Sequence, residues 1–200
     1  SEQMQELKKL DVEFEIFLIH GRGILGYLKS RKKLQQKIAS NTFDLIHAHF
    51  GFAGLLAVLQ SKIPVVISFI GCDINVFVKR LVSWVAMLRS SYNIFVSNDL
   101  QKKAKVYRNS IVLPYGIDFS TMYPIERSIA RKVLMLDADK KICLFGSSKT
   151  RKEKNYTLAK QAVELCENIE LINLNGQYTK EEVNLLVNAV DCLILTSLRE

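Results

Sequence analysis

An alternation that runs the whole length of this chain limits its fold most: short apolar runs are interleaved with longer segments whose apolar residues recur every three or four positions. The short runs predict strands over Phe14–Ile19, Leu45–Ala48, Val65–Phe69, Ile94–Val96, Ile111–Leu113, Ile142–Phe145, Ile169–Leu174 and Leu193–Thr196. Several are apolar throughout instead of alternating, as expected of parallel strands covered on both faces. The longer segments predict helices over Gly26–Ala39, Ala53–Gln60, Arg80–Arg89, Leu100–Tyr107, Ser128–Leu136, Tyr156–Glu167 and Lys180–Ala189. In the sixth of these, Leu158, Ala162, Val163 and Cys166 recur at helical spacing. Thr179, followed by Lys180-Glu181-Glu182, reads as an N-cap with acidic residues in the first turn. Strand, helix, strand, repeated, means a parallel α/β fold with right-handed crossovers.

The pattern pauses once, at Pro114-Tyr115-Gly116-Ile117-Asp118, and Pro124 follows, so two of the chain's three prolines fall within 11 residues. The domain boundary is placed there, giving domains of residues 1–117 and 118–200. At 48% apolar and 24% charged residues, the 200-residue chain is neither disordered nor of low complexity and can bury a core. It has no run of 18 uncharged apolar residues, and its acidic, polar start lacks the apolar region of a signal peptide. A soluble or peripheral protein is expected.

The net charge is +8, and all of it sits in residues 1–117, where 16 basic residues face 8 acidic ones; residues 118–200 are balanced. That asymmetry directs attention to an anionic partner or membrane surface for the first domain. Nucleic acid is not indicated, because zinc-ligand spacing, an RNP-type aromatic strand and a helix-turn-helix pattern are all missing. Cys72, Cys143, Cys166 and Cys192 form no C-x-x-C pair and read as buried free thiols of a reducing cytosol. The three histidines supply no matching metal-ligand cluster.

Five segments have residues suited to chemistry. His20-Gly21-Arg22-Gly23-Ile24-Leu25-Gly26 contains G-x-G-x-x-G between a predicted strand and helix. The carboxylate that should end the next strand of a dinucleotide site is missing, and Asp44 precedes that strand instead. A connecting loop is the reading, with a dinucleotide-dependent oxidoreductase resting on Gly21, Gly23 and Gly26 as a rival. The helix after it carries Lys29, Arg31, Lys32, Lys33 and Lys37, either a solvated basic face or a contact for anionic lipid headgroups.

His47-Ala48-His49 ends one strand, and Ser68-Phe69-Ile70-Gly71-Cys72-Asp73 ends the next. Ligands of open α/β sheets bind outside the carboxyl ends of strands. His49 can contact an acceptor there, Gly71 lets backbone approach it, and Asp73 can accept hydroxyl hydrogen bonds or cap a helix. In the second domain Phe145-Gly146-Ser147-Ser148-Lys149-Thr150-Arg151-Lys152-Glu153-Lys154 joins a strand to a small-residue turn with four basic residues in six positions. A departing diphosphate needs such fixed positive charge and backbone N–H donors, which a helix N-terminus beside Lys or Arg provides. Finally, Asp191 through Thr196, Ser197 and Glu200 deliver polar groups to a strand end.

Taken in order, these segments resemble the retaining glycosyltransferases of family 4, which have the GT-B fold. Asp44-Leu45-Ile46-His47-Ala48-His49 is similar to their D-[LIV]-[IV]-H-x-H segment. Val112-Leu113-Pro114-Tyr115-Gly116-Ile117-Asp118 resembles the interdomain element V-I-P-N-G-V-D. Phe145-Gly146 with Lys154-Asn155 resembles the donor-phosphate loop G-R-x-x-x-x-K-[GN]. Asn188-Ala189-Val190-Asp191 through Ser197 and Glu200 resembles A-x-D-x-x-[LIV]-x-[PT]-S-x-x-E. The resemblance spans residues 40–200.

It implies two Rossmann-like domains facing a cleft, acceptor mostly on the first and nucleotide sugar mostly on the second. Lys154 matches the phosphate-binding lysine; Lys149 has the spacing of the paired arginine, and Arg151 its chemistry. Gly146, Ser147 and Ser197 complete the donor side, and Glu200 matches the glutamate that faces the donor sugar. His49, Gly71 and Asp73 fall on the acceptor side. Glu200, Lys154 and Arg151 are thus the expected catalytic residues, with a nucleotide diphosphate sugar as donor substrate and neither metal nor resident cofactor. Ile70 departs from the pattern, standing where the family has a histidine.

The first strand with its glycine-rich loop and the second glutamate of the E-x₇-E motif are also missing from the 200 residues, so both domains are expected to be incomplete. The expectation is a fragment, inactive alone, of a chain of about 350 residues. The complete protein is expected to act in the cytoplasm, peripherally on the inner membrane face, in cell-envelope or capsular polysaccharide assembly on a saccharide or lipid-linked acceptor. An inactive nucleotide-sugar-binding module is the other alternative.

Overall fold

Parallel strand pairing organises both halves of the chain, in two separate sheets. The computed structural model describes residues 2–20 and 23–198. Its two units divide between Tyr115 and Gly116.

In the first unit, helices α1 (Glu2–Lys8) and α2 (Gly23–Ser40) precede the sheet. Strand β1 (Ile46–His49) leads through α3 (Gly51–Val58) to β2 (Val65–Phe69), and β2 leads through α4 (Cys72–Asn75) and α5 (Phe77–Arg89) to β3 (Tyr92–Phe95). Helix α6 (Asn98–Ala104) connects β3 to β4 (Ser110–Val112). The strands lie in sequence order, β1-β2-β3-β4, each parallel to its neighbour. Val65, Ile67 and Phe69 of β2 are buried, and Phe69 stacks on Phe95 with ring centroids 5.3 Å apart. This central strand is covered on both faces, which is why its sequence is apolar throughout. Two glycines let α3 approach closely: a Cβ at Gly54 would overlap Ile67 of β2, and one at Gly51 would overlap Ser83 of α5.

In the second unit, α7 (Arg127–Val133) precedes β5 (Lys141–Phe145), and a 3₁₀ turn (Lys152–Lys154) precedes α8 (Tyr156–Glu164). Strand β6 (Ile169–Asn173), α9 (Lys180–Ala189) and β7 (Cys192–Ile194) follow. The order is β6-β5-β7, all parallel, so the buried β5 is central. Thr179 caps α9 as its sequence suggests: its side chain accepts from the Glu182 N–H at 3.2 Å, and its own N–H donates to Glu182 Oε2 at 2.7 Å. Asp191 has a structural role. It accepts from the Ile142 N–H and from the guanidinium groups of Arg127 and Arg131, each at 2.8 Å, and the Ile142 N–H, followed by Arg131, holds its carboxyl below the usual range. Arg131, itself buried, also donates to the carbonyls of Asp137, Ala138 and Ala189 and so ties α7 and α9 to the sheet.

Three expectations need correction. Residues 12–20 form no strand: their apolar alternation has no neighbouring strand to pair with among the described residues, and Lys37 Nζ holds Glu15 at 2.6 Å instead. The segment before the glycine-rich loop is therefore irregular, which removes the strand–turn–helix setting a dinucleotide site requires; Gly21 and Arg22 lie outside the described residues. The cysteines are not uniformly buried. Cys143 is, on the central strand, but Cys72 at the start of α4, Cys166 just after α8 and Cys192 on the edge strand β7 are exposed. Burial, followed by the neighbouring Cys192 and Cys166 thiols, pushes the Cys143 thiol up to about 12, leaving it inert at neutral pH.

Candidate functional site

Each sheet has a polar cluster at its carboxyl edge. In the first unit, β1 ends with His47 and His49, whose rings lie 4.6 Å apart. Two positions apart on a strand, they share one face. His47 Nε2 and Ser68 Oγ of β2 are hydrogen-bonded at 2.8 Å. Burial lowers the pKa of both imidazoles, and for His47 the adjacent His49 adds to the effect, so both favour the neutral form. His49 is exposed and His47 half-buried.

Beyond β2 the chain turns at Gly71, whose φ of 132° is a conformation L side chains rarely adopt. The turn lets the Gly71 N–H donate to Asp73 Oδ1 at 3.0 Å. Asp73 is 2% exposed, and its Oδ2 has no hydrogen-bond partner among the described residues. Burial raises its pKa, opposed by the backbone N–H groups of Gly71, Asp73, Gly51 and Ile70. Ile70 thus contributes backbone polarity where the resemblance would place an imidazole. Tyr115 belongs to the same neighbourhood, its phenol pushed up by partial burial and then by the Asp73 carboxylate. Ser68 and Tyr115 were not singled out by the sequence; a strand alignment would have signalled Ser68, which pairs in register with His49.

In the second unit, β5 opens into Gly146, and Ser147 N–H folds back onto the Phe145 carbonyl at 2.8 Å. Ser148 and Thr150 hydroxyls pair at 2.8 Å and shape the loop. Lys149 and Arg151 are exposed and Lys154 is half-buried. Arg151 is already engaged, with Nε and a terminal nitrogen 2.8 and 2.7 Å from Glu153 Oε1. The basic residues lead into a 3₁₀ turn rather than directly into a helix. Asn155 then takes the left-handed conformation, φ 52°, and α8 begins at Tyr156, whose ring meets Phe145 edge-on at 5.2 Å.

The strand end at β7 is drawn onto this turn. Thr196 Oγ1 lies 3.1 Å from the Lys154 carbonyl and 2.9 Å from that of Asn155, and the Leu198 N–H donates to the Glu153 carbonyl at 3.0 Å. The structure therefore brings Gly146, Ser147, Lys154 and Ser197 to one strand edge; Glu200 lies outside the described residues. A Cβ at Gly146 would make only ordinary contact with Leu193, so its place there is not forced by crowding.

Three buried side-chain polar atoms among the described residues lack a hydrogen-bond partner: Asp73 Oδ2, Asn173 Nδ2 and Ser197 Oγ. Buried polar groups are normally paired, and all three lie at or just beyond the carboxyl ends of strands β2, β6 and β7. Asn173, which sequence reasoning missed, pairs in register with Phe145 and so stands beside the Gly146 turn. Orphan donors and lysine in the second unit suit an anion. In the first, an orphan carboxylate oxygen and the two imidazoles at the end of β1 suit hydroxyl groups. Among the described residues, no cluster of His, Cys, Asp and Glu could hold a metal ion.

Comparison with known proteins agrees with this architecture. The family model described as Glycosyltransferase Family 4 matches residues 5–121. Among solved structures, HepE (Alr3699) of Anabaena, crystallised with UDP and glucose, superposes with a TM-score of 0.70 at 17% identity, over 98% of this chain and 64% of that one. Sucrose-phosphate synthase of Thermosynechococcus elongatus gives 0.65 at 16% identity, over 86% and 55%. A glycosyltransferase of Rickettsia africae gives 0.58 at 14%, over 99% and 63%. The chain thus spans less than two thirds of the length of these structures, and its fold is of the GT-B type, as the motifs implied. No curated protein sequence matches it significantly.

Proposed function

Since this chain belongs to Glycosyltransferase Family 4, we propose that the full-length protein moves a sugar from a nucleoside diphosphate donor onto a hydroxyl of a saccharide or lipid-linked acceptor, with retention. The observation that carries this is the cationic turn: Lys149, Arg151 and Lys154 on a loop beside Ser197 and Asn173, two residues with unpartnered buried polar groups. As the bond between the anomeric carbon and the diphosphate oxygen breaks, negative charge grows on the leaving group. Fixed cations and N–H and O–H donors aimed there lower the barrier. Lys154 supplies fixed positive charge. Arg151 supplies more once a diphosphate competes with Glu153 for its guanidinium. The acceptor oxygen bonds to the anomeric carbon on the face the diphosphate leaves, and its proton passes to a diphosphate oxygen. Glu200 orients the donor sugar. His49, Gly71 and Asp73 position the acceptor, with Asp73 and the imidazoles taking hydrogen bonds from its hydroxyls.

No metal or resident cofactor enters this scheme, because lysine, arginine and backbone donors carry the neutralisation. The exposed Lys29, Arg31, Lys32 and Lys33 of α2 support work at an anionic membrane surface. Among the described residues no helix is long and apolar enough to cross a membrane. The attachment proposed is peripheral, on the cytoplasmic face, and suits envelope or capsular polysaccharide assembly.

The test is release of nucleoside diphosphate by the full-length protein from a panel of nucleotide sugars, beginning with UDP-glucose, the ligand named in one HepE structure. Turnover of one donor with retained anomeric configuration is expected. Donor binding without turnover would make the protein a binding module, the reading that Ile70 favours; neither binding nor turnover on the whole panel contradicts the proposal.

A further inference from the structure

A single carboxylate stands inside the cationic turn. Between Asp139 and Glu164 the sequence has one acidic residue, Glu153, and it lies among Lys149, Arg151, Lys152 and Lys154. Its Oε1 is held by Arg151, with Nε at 2.8 Å and Nη2 at 2.7 Å. The Arg151 side chain is 55% exposed and that of Glu153 35%, so the pair is open to exchange with solutes. The backbone beneath it is fixed. The Lys154 N–H donates to the Arg151 carbonyl at 3.0 Å and the Asn155 N–H to that of Lys152 at 3.1 Å. The Leu198 N–H, from beyond β7, donates to the Glu153 carbonyl. Exchange of partners at Arg151 therefore needs side-chain rotation and no refolding of the turn.

We propose that Glu153 is a resident competitor for the diphosphate: its carboxylate holds the Arg151 guanidinium between turnovers, yields it to the donor, and takes it back as the nucleoside diphosphate leaves. This role rests on the donor reading of the turn and adds how the turn lets its product go. A guanidinium grips carboxylate and phosphate through the same fork of N–H groups, so one anion can replace the other in place. An exposed ion pair contributes little to stability, which makes Glu153 a weak competitor that a diphosphate can displace. The competition matters most after transfer. Once the sugar has left, the terminal phosphate ionises further, so fixed cations hold the product more tightly than the donor. A carboxylate on the same rigid turn offsets that excess: it repels the diphosphate and recaptures the guanidinium at high effective concentration. Glu153 touches no reacting atom in this scheme and is a positioning residue that acts through Arg151.

Calorimetric titration of the full-length protein with UDP, inorganic pyrophosphate and uridine tests the exchange, with folding checked by circular dichroism. Glu153→Gln should bind UDP and pyrophosphate about fivefold more tightly than wild type, and inhibition of donor turnover by added UDP should strengthen by about the same factor. Uridine, which has no phosphate, should bind both proteins equally. Glu153→Asp, which keeps the charge, should stay closer to wild type than Glu153→Gln does. In an Arg151→Gln background the gain from Glu153→Gln should shrink, because the carboxylate then has no guanidinium to hold. Equal or weaker UDP binding by a folded Glu153→Gln overturns the proposal, the weaker case making Glu153 a support that presets Arg151 for its ligand. Failure of wild type and variant to bind either UDP or pyrophosphate overturns it together with the donor reading of the turn. Tighter diphosphate binding by Glu153→Gln, with no nucleotide sugar turned over by either protein, upholds it and counts against the transferase reading alone.

Discussion

The two sheet edges are built on opposite principles. The first-unit edge is short of charge: one carboxylate sunk to 2% exposure, two histidines whose pKa values burial lowers, and a glycine turn held at φ 132°. The second-unit edge is open and cationic, with Lys149 and Arg151 in solvent and Lys154 half-covered. A buried charge is costly and survives only where its surroundings are rigid, whereas a surface cation adds little to folding and is available to a ligand. The comparison teaches that changes at the first edge should be read in stability and its pH dependence, and changes at the second in turnover.

The largest effect is expected at the cationic edge. Lys154→Ala should lower donor turnover by ~10–100-fold, the worth of one or two charged hydrogen bonds, while leaving the melting temperature nearly unchanged. A steady-state assay of nucleoside diphosphate release, run beside a thermal melt, checks both halves. Next comes Gly71→Ala. A side chain at φ 132° stores about 1–3 kcal/mol of strain and shifts the Asp73 carboxyl away from the Gly71 N–H. Denaturant unfolding should show that loss, and wild-type stability in this variant would break the contrast.

Two smaller effects concern pH. The Asp73 pKa is raised in the folded state, so the native protein binds a proton more tightly there than the unfolded chain does. Its contribution to stability is full below the ordinary carboxylate range and is lost as pH rises through the raised value. Asp73→Asn should flatten that decline in a series of melts, and an unaltered profile would remove Asp73 from the account. The histidines run the other way: with lowered native pKa values, their contribution is present above the ordinary value of 6.5 and lost as pH falls through the lowered one. His47→Gln should make the melting temperature less sensitive to pH below that point, and an unchanged profile would remove His47 from the account.

The alternation of apolar runs made the parallel architecture legible because buried central strands are apolar throughout; β2 runs over Val65–Phe69 as expected. Residues 12–20 misled for the same reason in reverse: strand-like alternation states a preference, and a strand also needs a partner to pair with. Helix α4 was invisible because four residues carry no periodicity, and its start depends on the Gly71 turn. The positions of His49 at the end of β1, and of Asp73 and Lys154 in the segments after β2 and β5, were legible from the order of strands and loops. Ser68, Tyr115 and Asn173 were not, since each acquires its place only through strand register or through the nearness of Asp73.

The cationic turn is the centre of the functional account, and a crystal of the full-length protein soaked with uridine diphosphate tests it most directly. The account predicts diphosphate oxygens within hydrogen-bonding distance of Lys154 and of the backbone N–H groups that follow Phe145. A diphosphate bound elsewhere, with this turn contacting only solvent, would contradict it.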